Sequence, residues 1–181
     1  KDDFEIIQAR IPKANEIKIR PIGDIHFGSV LHNEKAWIDF RDQVVKEDNT
    51  YILLLGDLIN NNTRSSAGSP YEDTVRPREQ KKIMAEMLAP LREKIIGIVS
   101  GNHERRSLKD ADDDPTYDIA CKLDLEDVYR ENAAFIHLEI GSRKSKDKEW
   151  SGATYNIGMT HGSGGGALTG SSVNRNERLA Y

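Results

Sequence analysis

Cysteine is nearly absent from this sequence. With Cys121 as the single thiol in 181 residues, neither an intrachain disulfide nor a cysteine-built zinc site can form. Its neighbours Ile119, Ala120 and Leu123 put it on an apolar helix face, so Cys121 is expected in the core. Long hydrophobic runs are missing as well. The longest are strand-length, far short of a bilayer span, and no secretory signal is recognisable. No membrane partner is expected, and a cytoplasmic setting is. Positive charge is not in excess: 26 Lys and Arg against 30 Asp and Glu leave a formal charge of -4. General attraction to nucleic acid is thereby excluded, although Arg105 and Arg106 form a local basic pair. Internal repeats and an inter-domain linker are also lacking. Hydrophobic residues at 37% and charged ones at 31% describe one ordinary globular domain over residues 1–181.

What the chain does have is a repeated strand ending. The apolar, β-branched run Ile95-Ile96-Gly97-Ile98-Val99 stops and delivers Gly101-Asn102-His103-Glu104. Residues 17–23 run in the same way into Asp24-Ile25-His26, and residues 51–55 into Gly56-Asp57. A fourth run, Ala153–Thr160, ends in His161-Gly162. Between them lie helical patterns. Asn33 can cap a helix over Glu34–Lys46 with Trp37, Phe40, Val44 and Val45 on one face. A second helix is expected over 78–91, stopped or kinked by Pro90, and a third from Asp114-Pro115 to about residue 131. Pro12 to Asn15 set off a short first segment. Residues 60–71 form a polar loop, functional or mobile, and Asp110 to Asp114 read as a solvated acidic loop. Residues 135–140 and 153–160 suit a hairpin-like strand pair joined by the basic loop 141–149. The Gly- and Ser-rich stretch 161–172 has no packing residues.

Strands alternating with helices imply βαβ units and a largely parallel sheet. Right-handed crossovers then bring the loops after Gly23, Leu55 and Ser100 to one sheet edge. Six polar side chains converge there: Asp24, His26, Asp57, Asn102, His103 and, delivered by the later strands, His161. Carboxylate and imidazole without thiolate is a donor set for Mn, Fe or Zn rather than Ca or Mg. Asp57 follows directly on a buried strand, where an unpaired carboxylate is costly and a cation relieves the cost.

In order, spacing and strand-end context, D-x-H at Asp24 and His26, G-D at Gly56 and Asp57, G-N-H-E at 101–104 and H-G at His161 resemble the calcineurin-like metallophosphoesterase family. The likeness covers roughly residues 17–162. It implies an α/β fold, a two-sheet αββα sandwich. It implies two divalent metal ions, Mn in first place and Fe or Zn as alternatives. Asp24 and His26 would bind the first, Asp57 would bridge both, and Asn102 with His161 would bind the second. His103 would be catalytic, facing the phosphate and stabilising or protonating the leaving oxygen. The cations, about 3.5–4 Å apart, would hold a bridging hydroxide for in-line attack on phosphorus. The substrate would be a phosphodiester or phosphomonoester, with a nucleotide or nucleic acid preferred by family analogy.

Two departures stand out. The family pattern closes with G-H-x-H, and no histidine follows His161 here. The simplest expectation is a domain cut short at its carboxyl end, as its start at Lys1-Asp2-Asp3 also suggests a boundary. The competing reading is a non-enzymatic scaffold or binding module with a defective metal site. In the second departure Asn60 stands where some relatives have Asp in G-D-x-x-D. Its side chain is expected to accept a hydrogen bond from His103 without stabilising a charged imidazole, leaving His103 less often protonated and so less effective as the acid. Glu104 is expected to support the site or pair with a cation rather than ligate. Arg105 and Arg106 are surface residues with a possible phosphate contact. The two remaining histidines, His32 and His137, are expected to be structural. The Gly164-Gly165-Gly166 run is not a P-loop, because the Lys-Ser/Thr ending is missing.

Overall fold

Four short segments pair side by side into a parallel sheet, and their identical polarity puts four strand ends on one edge. In the computed structural model, which describes residues 5–64, 66, 68–69, 71–141 and 152–162, these are β2 (Lys18–Ile22), β3 (Thr50–Leu54), β4 (Ile95–Val99) and β5 (Tyr129–Arg130), in that spatial order. A second sheet holds β1 (Ile7–Ile11), β6 (Ala133–Ile140) and β7 (Ala153–Thr160). Here β1 runs parallel to β6, with Ile7 opposite Ile136, and β6 is antiparallel to β7, with Ala133 opposite Thr160. The short first segment is therefore a strand, an assignment its sequence did not suggest because its partner lies some 130 positions away.

The helices are α1 (Glu34–Lys46), α2 (Pro77–Leu88), α3 (Glu104–Ala111) and α4 (Pro115–Lys122). Val44 of α1, Met84 and Leu88 of α2 and Ile119 of α4 meet Ile52, Leu54 and Ile98 on one face of the parallel sheet. On the opposite face Leu53, Ile96 and Val99 pack on Ile136, Leu138 and Met159. Alternation along β3 serves both layers, since successive side chains point to opposite faces. The result is the expected mixed α/β architecture with two facing sheets. Among the described residues no helix is long and apolar enough to cross a membrane.

Helix α1 has the expected limits, with the Asn33 side chain accepting from Ala36 N. Val45 does not share its buried face and is 41% exposed: a helix turns about 100° per residue, so Val44 takes the inward position. Helix α2 stops at Leu88, and Ala89–Lys94 continue as a 3-10 helix around Pro90. The third expected helix is much shorter than its apolar pattern suggests. It ends at Lys122, because Asp124 takes a left-handed conformation (φ 52°) that reverses the chain into a 3-10 turn and β5. Cys121, expected in the core, is only half-buried; Ile119 and Ala120 take the inward positions of that helix.

Two polar fixtures brace these layers. The Arg130 guanidinium, 2% exposed, donates to the carbonyls of Glu5, Asp127 and Tyr129, stitching the start of the chain to β5. Asp114 accepts from the N–H groups of Thr116 and Tyr117 as a helix cap and from the Tyr129 hydroxyl on its other oxygen. Burial, then Asp114, pushes the Tyr129 phenol above its ordinary pKa of 10. A raised pKa means that the neutral phenol is favoured by folding, so its contribution is complete below pH 10 and lost above it. Denaturant midpoints taken upward from neutral pH should fall beyond that value, and fall less in Tyr129→Phe. Equal alkaline slopes would refute the assignment.

Candidate metal centre

The floor of the site is two glycine-bearing turns pressed together. A Cβ on Gly101 would lie 2.1 Å from both the backbone nitrogen and the Oδ1 of Asp57, and one on Gly56 would lie 2.3 Å from Gly101 N. No side chain fits at either position, so the turns that follow β3 and β4 touch backbone to backbone. Gly56 also needs a φ of 83°. Glu104 locks them from beneath. Fully buried, its Oε2 accepts from Asp57 N at 3.0 Å and Gly101 N at 3.1 Å, and its Oε1 from Ile59 N at 3.1 Å. Burial, reinforced by the charge of Asp57, pushes the Glu104 carboxyl up to about 7 against these three donors.

On this floor the backbone is strained in a telling pattern. Asp24, His26 and Asp57 all take left-handed conformations, with φ of 52°, 48° and 49°, which cost non-glycine residues energy and gather at functional sites. Asp24 and His26 therefore meet across a turn rather than on one strand face, with His26 Nε2 3.5 Å from Asp24 Oδ1. Asp57, 2% exposed, uses Oδ1 to accept from His103 N at 2.8 Å. Its Oδ2 faces three imidazoles: Nε2 of His161 at 3.5 Å, of His26 at 3.7 Å and of His103 at 3.9 Å. Asn102 and Asp24 are exposed and form the rim. All six residues singled out in the sequence are thus brought together.

Two of the imidazoles are oriented by main-chain carbonyls. His161 Nδ1 lies 2.6 Å from Leu55 O and His103 Nδ1 2.7 Å from Asn60 O. A carbonyl only accepts, so each Nδ1 carries the hydrogen and each Nε2 turns a lone pair to the centre, as metal-ligating histidines do. His161 Nε2 then lies 2.9 Å from Asn102 Oδ1. Two acceptors at that distance repel unless the amide turns over, Nε2 is itself protonated or a cation lies between them. Two sets of donor atoms, from His26, Asp57 and His103 and from Asp24, Asp57 and His161, each lie within 4.8 Å of one another. The residues present suit divalent cations bound through oxygen and nitrogen.

A family model for calcineurin-like phosphoesterases matches residues 17–178, most of the chain. The chain belongs to the calcineurin-like phosphoesterase family. That membership carries metal-dependent hydrolysis of phosphate esters as the general chemistry. No curated protein matches this sequence.

Within this site, one expectation is corrected. The Asn60 side chain does not face His103; its Nδ2 donates to Asp73 Oδ1 at 2.7 Å, and the backbone carbonyl of Asn60 orients the imidazole instead. Asp73 also accepts from Asn62 at 2.7 Å and Gln80 at 2.9 Å, while Gln80 Oε1 accepts from Asn61 N and Asn61 bonds Ser107. The loop after Asp57 is therefore held by side chains up to 46 positions away. Sequence reasoning missed Asp73 and Gln80, since nothing local marks a polar residue as a long-range partner. Burial holds His103 below the ordinary imidazole pKa, against the opposing pull of the Asn60 carbonyl and Asp57. Glu104 supports the site as expected, through N–H groups rather than a cation.

Arg105 is occupied structurally, on Gly101 O and Asn132. Arg106 instead reaches Ser66 Oγ at 3.2 Å and stands 3.3 Å from His103 Nδ1. Since that nitrogen is already the donor to Asn60, this is a close approach of two N–H groups rather than a bond. His137 bonds Asn156 across the β6–β7 pair, a structural role. The acidic run supplies a helix cap from Asp114 and a partner to Lys81 from Asp113. The Gly164-Gly165-Gly166 run lies outside the described residues, as do most of stretch 161–172 and loop 141–149.

Proposed function

We propose that this chain hydrolyses phosphate esters at the rim of the bowl floored by Asp57, with Asp24, His26 and Asp57 holding one divalent cation and Asp57, Asn102 and His161 a second. Mn suits these donors best, with Fe or Zn as alternatives. The observation that carries the reading is the aim of the imidazoles: carbonyl-anchored Nε2 atoms turned on one buried carboxylate oxygen, with Asn102 Oδ1 at 2.9 Å from His161. Bound there, the cations supply Lewis acidity to the phosphate and to the attacking water.

The remaining work falls to the chain itself. Asp57 fixes the centre from below because both turns beneath it are locked by Glu104. His103, with Nδ1–H committed to Asn60, has only Nε2 left to exchange a proton with the leaving oxygen. The exposed rim of Asp24 and Asn102, with Arg106 close to His103, suits an extended phosphodiester such as a nucleotide or nucleic acid strand.

The test is metal content after purification with added Mn, followed by hydrolysis of bis(p-nitrophenyl) phosphate, p-nitrophenyl phosphate and a single-stranded oligonucleotide. The expected result is about two ions per chain and faster cleavage of the diesters. A chain that binds no metal and cleaves none of the three would be a scaffold of phosphoesterase fold.

A further inference from the structure

His103 is held at both ring and backbone by one short segment. Asn60 O lies 2.7 Å from its Nδ1, and the Asn61 side chain donates to its carbonyl oxygen at 2.9 Å. This segment lies outside the strands. Asn61 is 2% exposed and left-handed, with a φ of 45°, so side chains from elsewhere must hold it. Its backbone N–H donates to Gln80 Oε1 at 2.9 Å, and its Nδ2 to Ser107 Oγ at 2.8 Å. Asn60 and Asn62, two positions apart, share a different partner. Both donate through Nδ2 to Asp73 Oδ1 at 2.7 Å. Asp73 Oδ2 accepts from Gln80 Nε2 at 2.9 Å, which joins the carboxylate and the glutamine into one clamp. Hydrogen bonds to an ionised acceptor are stronger than neutral ones, so Asp73 is the firmest hold on Asn60.

A second group competes for the same ring nitrogen. Arg106 Nη1 stands 3.3 Å from His103 Nδ1 and is steadied by Ser66 Oγ at 3.2 Å. While Asn60 O is in place, Nδ1 carries the hydrogen and the guanidinium only approaches it. With the carbonyl displaced, Nδ1 is able to accept from Arg106 instead, and the hydrogen passes to Nε2. In a neutral imidazole the partner of one nitrogen decides the state of the other. The place of Asn60 therefore selects the tautomer, and Asp73 sets that place.

We propose that Asp73 is a positioning residue for His103, acting through Asn60 to keep a hydrogen on Nδ1 and leave Nε2 to exchange the proton with the leaving oxygen. The inference rests on the phosphoesterase reading for the destination of that proton, whereas the tautomer is independent of it. The loaded ring carries two hydrogens, gives the one on Nε2 to the leaving oxygen and keeps the other bonded to Asn60 O. A ring whose Nδ1 accepts from Arg106 has no such loaded form, because two N–H groups would then face each other.

The test is nitrogen NMR of the full chain with isotope-labelled histidine, in chelator and with Zn. His103→Gln identifies the His103 signals among the five histidines. The wild type should carry the hydrogen on Nδ1. Asp73→Ala and Asn60→Ala break the link from its two ends, the second without removing the carbonyl, and each should move the hydrogen to Nε2. Asp73→Asn keeps an oxygen for Asn60 and Asn62 and should keep the wild-type tautomer. Rates on phenyl phosphate and p-nitrophenyl phosphate give a second readout, since phenoxide is the more basic leaving group and needs the proton more. Both alanine variants should lose at least about ten-fold more rate on the phenyl ester, whereas a general loss of fold slows the two esters alike. A hydrogen that stays on Nδ1 in either folded variant overturns the proposal, and Asn60→Ala decides it if Asp73→Ala does not fold. A wild type with the hydrogen on Nε2, or equal losses on the two esters, overturns it as well. A moved hydrogen in a chain that cleaves no ester under any metal supports the positioning role and sinks the phosphoesterase activity alone.

Discussion

Asp57→Asn should invert its effect on stability with metal. In chelator, the variant is expected to melt above the wild type. With added Mn, the wild type should melt higher, and only it should hydrolyse phosphate esters. Without metal, the buried Asp57 carboxylate has one hydrogen-bond donor among the described residues, His103 N, and its Oδ2 looks at the Nε2 lone pairs of His161 and His103 and at Nε2 of His26. A buried, poorly paired charge costs on the order of 1–3 kcal/mol even when partly compensated. An amide keeps the Oδ1 bond and turns N–H groups to those lone pairs, so the metal-free variant should gain roughly 3–8 °C. Cations reverse the order because they bind only the folded wild type and stabilise it by mass action. Activity should drop by about three orders of magnitude, equivalent to the several kcal/mol that metal Lewis acidity supplies. Melting curves in chelator and in Mn decide it. A metal-free variant that melts below the wild type, or one that keeps its metal, would overturn the placing of Asp57 at the centre.

The second large effect is expected at Glu104, which touches neither substrate nor the rim. Its two oxygens satisfy N–H groups of Asp57, Ile59 and Gly101, all in the pressed turns beneath the site. Glu104→Ala leaves three buried donors unpaired, at about 1–3 kcal/mol each before relaxation, and should lower the melting temperature by about 10 °C or more. Glu104→Gln keeps the shape but turns an NH2 group on at least one donor, so it should cost less than Ala and still lose metal affinity.

The pH dependence separates charge from shape. The Glu104 carboxyl is pushed up from 4.5 to about 7, so the folded state holds its proton more tightly than the unfolded chain does. That contribution is complete below pH 4.5 and is lost as pH rises to about 7. Chelated wild type should show this decline in denaturant midpoint, and Glu104→Gln should lack it. A flat wild-type profile across this window would refute the burial argument.

Local chemistry was legible where neighbours along the chain decide it. Asn33 capping α1, Asp114-Pro115 opening α4 and Pro90 ending α2 follow from the side chains within one turn of each boundary. Five of the six site residues were legible for a related reason: Asp24, His26, Asp57, Asn102 and His103 follow strands whose parallel pairing brings their ends to one edge, whereas His161 comes from the end of β7 in the other sheet. The end of α4 was not legible, since its apolar spacing continues past Asp124 and only the left-handed turn there stops it.

The sequence by itself determined which residue types reach the strand ends, the sheet class and the family, because those rest on short-range pattern and order. Tertiary structure alone decided the details of the site. Which oxygen of Asn60 holds His103, which N–H groups Glu104 serves, and where Asp73, Gln80 and Arg130 find partners depend on contacts between segments far apart in the chain. Residue spacing carries no record of such contacts, because they are selected by the need to satisfy every buried donor and acceptor once the layers have closed.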